Sequence, residues 1–107
     1  MPDHIIVLVT CPATESHALA QSVVEQQLAA CVNIIPGVTS VYTWEGKTCK
    51  EEEQLLVIKT DRSRWESLRD RVKQLHSYSV PEIIAIPIED GYKPYIDWMN
   101  SALGLGQ

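Results

Sequence analysis

The sequence predicts an α+β domain of βαββαβ order, the ferredoxin-like arrangement of an antiparallel sheet with two helices on one face, followed by a C-terminal helix. Three observations predict it. Short β-branched runs alternate with segments whose apolar residues recur every three or four positions. Two β-rich stretches follow one another in mid-chain and meet at a glycine-containing turn, the mark of a long hairpin. The chain has 107 residues, enough for one domain over 1–107 that buries about two thirds of its unfolded surface, with no linker, repeat or low-complexity segment.

The first strand is "HIIVLVTC", residues 4–11, a continuous apolar run of the kind covered on both faces and stopped by Pro12. From Thr14 to about Ala30, Ala20, Val23, Val24, Gln27 and Leu28 recur at helical steps and define the first helix. The hairpin follows, with strands over roughly 31–44 and 50–60 joined around Glu45, Gly46 and Lys47. Pro36 lacks a donor and Gly37 lacks a side chain, so a bulge or bend is expected there. Ser63 and Glu66 form a capping box ahead of Trp65, Leu68, Val72 and Leu75, which define the second helix. Residues 82–88 make the fourth strand, with Pro87 placing its end at an edge or bulge. Pro94 opens the last helix, which carries Tyr95, Ile96, Trp98 and Met99, and Gly104 stops it.

Charge and cysteine usage narrow the function. Nine basic against 14 acidic residues give a net charge of −5, which disfavours polyanion binding. The N-terminal apolar run, Ile5 to Val9, is too short for a membrane span and follows Asp3 rather than a cationic segment, so a cytoplasmic protein with no membrane partner is expected. Cys11, Cys31 and Cys49 are odd in number and widely spaced, which argues for reduced thiols rather than a disulfide framework or zinc ribbon.

Length argues for self-association. A strand covering most of 31–44 reaches on the order of 40 Å, beyond what one small domain covers. Its far end carries Val41, Tyr42 and Trp44, and such a patch beside unpaired strand edges calls for a second copy of the chain. Closed symmetry would leave no sheet edge free.

The chemistry-bearing residues are sparse. His76 lies in the loop of "QLHSYSVPEIIAIPI", with Pro81 holding Val80 extended into the fourth strand. Its alternatives are a metal ligand or a loop residue bonded to the backbone or to Tyr78. Cys11 is a second candidate ligand, set against the reading of a small buried hydrophobe. The run Glu51, Glu52, Glu53 reads as a solvated edge guard rather than a cation site. Lys59 ends an apolar run, where it either holds an anion or pairs with a glutamate. If copies assemble, Trp44, Lys59, Tyr78, Glu82, Tyr95 and Trp98 are the aromatic and polar groups expected in a ligand cleft between chains, with a small anionic ligand as its occupant; the alternative for Tyr42, Trp44, Tyr95 and Trp98, and the leading one, is interface filler.

The runs "LAACVNIIPGVTSVYTWEGK", "EEEQLLVIKT", "HSYSVPEIIAIPI" and "GYKPYIDW" together resemble the CutA family of divalent-cation-tolerance proteins over nearly the whole chain. The resemblance implies a homotrimer with sheets packed around a threefold axis and a link to Cu(II) and other divalent cations, with no cofactor required. It also implies a copper site from a cysteine near the end of the first strand and histidines before the fourth. Here Val9 stands at the matching strand position with Cys11 two residues on, and Leu75 precedes a single His76. By fold-level analogy, PII-type signal proteins bind small effectors in comparable inter-subunit clefts.

Other users of this topology fit poorly. The third strand lacks the basic and aromatic motif of RNA-recognition domains, and the chain has no Phe. "TCPATES" stands where an acylphosphatase would carry its phosphate loop. No nucleophile with an adjacent base is present, so a non-enzymatic protein is expected.

Overall fold

A continuous run of mostly β-branched residues makes His4–Cys11 strand β1, and Pro12, which has no amide to donate, ends it and leads into helix α1, Ala13–Glu25. The computed structural model describes residues 3–106. Strands β2 (Cys31–Trp44) and β3 (Lys47–Asp61) form the hairpin, helix α2 spans Trp65–Leu75, β4 spans Ile83–Pro87 and α3 spans Lys93–Ala102. The four strands form one antiparallel sheet in the order β2-β3-β1-β4, as the βαββαβ reading requires.

The core lies between the helices and one sheet face. Ile5, Val7 and Val9 of β1 with Leu56 and Ile58 of β3 pack against Leu19 and Val23 of α1 and Leu68 and Val72 of α2, all at most 2% exposed. Each such side chain contributes roughly 1.5–3 kcal/mol by leaving water. The expectation that β1 is covered on both faces is corrected: its burial alternates, with His4, Ile6, Leu8 and Thr10 only partly covered. The reason is that α1 and α2 share one face, while α3 reaches the other only at its His4 end, where His4 Nε2 and Asn100 Oδ1 lie 2.8 Å apart.

The second face is therefore open and apolar. Register places Ile6 and Leu8 beside Ile86 and Ile84 of β4, and Leu8 and Thr10 beside Val57 and Leu55 of β3, with Ile35 of β2 next to Leu55. Ile84, Ile86 and Ile35 are 50%, 44% and 43% exposed.

The hairpin accounts for the 48 Å long axis of a molecule only 25 × 23 Å across. Glu45 (φ 51°) and Gly46 (φ 78°) form its two-residue turn, both left-handed as a type I′ turn demands, so β3 begins three residues earlier than expected. The bulge falls where Pro36 and Gly37 predict it, between the pairs Ile35↔Leu55 and Val38↔Glu53, with Gly37 at φ 72°. Two residues of β2 there oppose only Gln54 of β3, which reverses the side-chain alternation beyond it. Val38, Ser40, Tyr42 and Trp44 consequently share the open face with Ile35; without the bulge Val41 and Thr43 would.

Two helix boundaries depart from the sequence reading. Helix α1 ends at Glu25 rather than near Ala30, because Gln27 adopts φ 58° and a Schellman pair closes the end, Gln27 N donating to Val24 O and Leu28 N to Val23 O. The Ser63–Glu66 capping box does not form. Asp61, extended at φ −105°, accepts from Ser63 N at 2.9 Å and starts a 3₁₀ turn, Arg62–Arg64, that runs into α2. β4 is an edge strand ending at Pro87, and α3 carries Pro94 in its first turn and Gly104 at φ 72° past its end.

Candidate functional site

His76 terminates α2: its amide donates to Val72 O at 2.9 Å and its backbone turns extended. That turn drives the imidazole against the end of β1, where Nε2 lies 2.7 Å from the Thr10 carbonyl. A carbonyl only accepts, so Nε2 carries the proton. Nδ1 then accepts from Tyr78 N at 3.1 Å, which fixes the neutral tautomer. Glu15 Oε1, 4.0 Å from Nδ1, accepts from Ser77 N at 3.2 Å and holds the loop from the α1 side. With both nitrogens committed and the side chain fully covered, the ring offers no lone pair to a cation unless the loop opens. Of the two readings open in the sequence, this geometry is that of the loop residue.

Cys11 is also closed. It is fully buried on the helix face of β1, and burial first, then the charges of Glu15 and Glu53, push its thiol up to about 11. A neutral thiol is a poor ligand. Among the described residues, no group of three or more His, Cys, Asp or Glu is placed to hold a metal ion.

The loop delivers Tyr78 to the hairpin. Its ring lies 4.6 Å from the His76 ring, and its hydroxyl donates to Glu53 Oε2 at 2.9 Å. Glu53 is 6% exposed, which corrects the reading of Glu51–Glu53 as a solvated guard for that residue. In phase with Leu55 and Val57, it lies on the open face of β3, where the Tyr78 loop covers it, and this alternation was the signal available in the sequence. Glu52, on the other side, accepts from Thr39 Oγ1 at 2.8 Å and fits the guard role. Burial, and then the Glu53 bond and charge, raise the Tyr78 phenol. Glu82 is raised by desolvation and then by Glu53.

Tyr78 forms one wall of a cleft of about 390 Å³ at the hairpin, with Tyr42, Trp44 and Glu51 on the strand side and Pro12, Ser79 and Val80 on the loop side. The expected ligand-cleft residues thus fall into two groups within one chain. Trp44 and Tyr78 meet in this cleft, with Glu82 in the field of Glu53 that Tyr78 bonds. Lys59, Tyr95 and Trp98 lie at the far end of the open face. There Lys59 Nζ donates to Asn33 Oδ1 rather than to a glutamate. Tyr95 stacks on Trp98 with centroids 5.4 Å apart, and its phenol is raised by burial and then by Cys31 beside it. Among the described residues, no helix is long and apolar enough to cross a membrane.

Comparison with known proteins follows the same architecture. The profile of the family described as CutA1 divalent ion tolerance protein matches residues 5–102. A divalent-cation tolerance protein CutA from Thermus thermophilus is 46% identical over 100 residues, covering 92% of this chain and 97% of the relative. A Thermus thermophilus structure titled divalent cation tolerance protein (Cut A1) superposes with a TM-score of 0.90 at 43% identity, over 96% of this chain and 99% of that one. A structure titled PII-like protein CutA from Nostoc sp. gives 0.88 at 33% identity, over 95% and 99% of the two chains.

Proposed function

Since the chain belongs to the CutA1 family of divalent ion tolerance proteins, we propose that it serves divalent-cation tolerance as a homotrimer that binds Cu(II) and other divalent cations weakly, at sites completed only where copies meet. It catalyses no reaction in this reading and works in the cytoplasm. The observation that carries the proposal is the open sheet face. Ile6, Leu8, Val57, Ile84 and Ile86 form a continuous apolar surface over three strands, flanked by the unpaired outer edges of β2 and β4. Surfaces and edges of this kind are stable in water when another copy covers them, and a closed ring of three covers every one. Weak, shared cation sites follow from the commitment of His76 and Cys11 within each chain, together with the net charge of −5.

Titration calorimetry with Cu(II) tests the metal reading. Wild type and His76→Ala should take up Cu(II) with affinities within a factor of about three, because the ring is not a ligand. A tight stoichiometric site lost in His76→Ala would overturn it.

Lys59 favours a second reading, in which the trimer senses a small anionic ligand between copies; the Nostoc relative is described as a PII-like protein. Among the described residues its hydrogen-bond partner is the neutral Asn33, which leaves its charge uncompensated there on the open face. A thermal-shift screen of anionic metabolites, with Lys59→Met as the control, distinguishes this reading from the first.

A further inference from the structure

The link between β4 and α3 carries chemistry that neither reading uses. Residues 88–92 belong to no helix or strand, and Glu89, Asp90, Gly91 and Tyr92 are all exposed. Of the five aspartates and two asparagines, Asp90 alone is followed by glycine. Its side chain is curled back on the backbone, with Gly91 N donating to Asp90 Oδ1 at 2.8 Å. The carboxyl group is thus held beside the amide nitrogen of the next residue.

We propose that Asp90 and Gly91 form a self-modification site, at which the chain isomerises through a cyclic imide to isoaspartate. Gly91 N attacks Asp90 Cγ and forms the new C–N bond. The nitrogen loses its proton and the protonated carboxyl loses its hydroxyl, together one water. The five-membered imide then takes up one water. Opening at Cγ restores aspartate, whereas opening at the main-chain carbonyl of Asp90 leaves the backbone running through Cβ. Mass is unchanged, and water is the only reagent.

Glycine suits this step because, with no Cβ, it leaves the backbone free to bring its nitrogen onto the side chain. The fold holds glycine there for a separate reason. A Cβ at position 91 would stand 2.7 Å from Ile96 Cδ1 and 3.0 Å from Ile96 Cγ1, so any larger residue pushes Ile96 aside. The packing that seats α3 therefore maintains the reactive pair. A cavity of about 280 Å³, bordered by His4, Glu89, Lys93 and Ile96, adjoins the link and gives the ring room to form and water a path to it. The other aspartates lack this combination. Asp3, Asp61, Asp70 and Asp97 precede His, Arg, Arg and Trp, and Asp70 and Asp97 lie within helices. Isoaspartate lengthens the link by one backbone carbon, directly ahead of the helical turn in which Tyr92 O accepts from Tyr95 N at 2.9 Å and Ile96 N at 3.0 Å. The reaction runs inside one backbone link, so it needs no partner to reach it and its reactants stay together in the assembly.

The experiment ages the full chain, in its native assembly, for several weeks at neutral pH, beside a synthetic peptide of residues 86–95. Digests are read by electron-transfer fragmentation, which separates isoaspartyl from aspartyl linkages at equal mass. Isoaspartate is expected at residue 90 at a rate within about ten-fold of the peptide's, and at least about ten-fold above that at any other aspartate. Asp90→Glu, which would need a six-membered ring, should stay unmodified. Asp90→Asn should reach isoaspartate faster than wild type, losing ammonia through the same imide. A folded chain that stays free of isoaspartate at residue 90 while the peptide accumulates it would overturn the proposal, because the fold would then shield the link. So would equal isoaspartate at Asp3 or Asp61, or an Asp90→Asn variant no faster than wild type.

Discussion

His76→Ala removes an imidazole that satisfies two backbone groups at once, the Thr10 carbonyl at 2.7 Å and the Tyr78 amide at 3.1 Å. A buried backbone group left unpaired costs about 1–3 kcal/mol. Water entering the vacated space recovers part of this, so the expected loss is about 2–4 kcal/mol. For a chain of this size, with a urea m-value of roughly 2 kcal/mol/M, the midpoint should fall by about 1–2 M. The assay is urea denaturation followed by circular dichroism, with wild type and variant at the same protein concentration because association contributes to apparent stability. His76→Gln supplies the internal control: its amide can still donate to Thr10 O and should recover about half of the loss. A change below about 0.5 kcal/mol in His76→Ala, or a Gln variant no better than Ala, would mean that His76 is not a hydrogen-bonding hub of the loop.

Three other perturbations test separate links. Cys11 is raised from 9.0 to about 11 by folding, so between these values the unfolded thiol ionises while the folded one stays neutral; stability should fall by up to about 2 kcal/mol as pH rises from 9 to 11, and Cys11→Ala should flatten that slope in denaturation measured across the range. Asp61→Ala should cost about 1 kcal/mol through the lost cap while Ser63→Ala stays within about 0.5, the reverse of what a capping box would give in the same assay. Deleting Gly37 removes the extra residue of the bulge and should turn Tyr42 and Trp44 off the open face, seen as loss of nuclear Overhauser contacts from both rings to Tyr78.

What could be read in the sequence was what the chain encodes locally. Pro36, Gly37, Gly46, Pro94 and Gly104 each restrict or free the backbone, and the bulge, turn, helix start and helix stop lie where they stand. The end of α1 was hidden because Gln27, a residue with no left-handed preference, fills a position usually held by glycine. Ser63 misled because Asp61, two residues earlier, is an equally good acceptor and only the extended backbone at Asp61 decides between them. At the candidate site, Trp44 and Tyr78 were legible as aromatics beside turns. Their meeting depends on the face reversal at the bulge and on Glu53, which pairs with Tyr78 across 25 positions. The role of His76 rests on Thr10, 66 positions away, a contact that no local spacing reports.

In the proposed trimer, two further copies of the chain cover the open face of the sheet. Native mass spectrometry at micromolar concentration tests it most directly: the predicted result is a dominant species of three times the 12.0 kDa chain mass, shifted toward monomer in Leu8→Asp, and a wild type that remains at 12.0 kDa would contradict it.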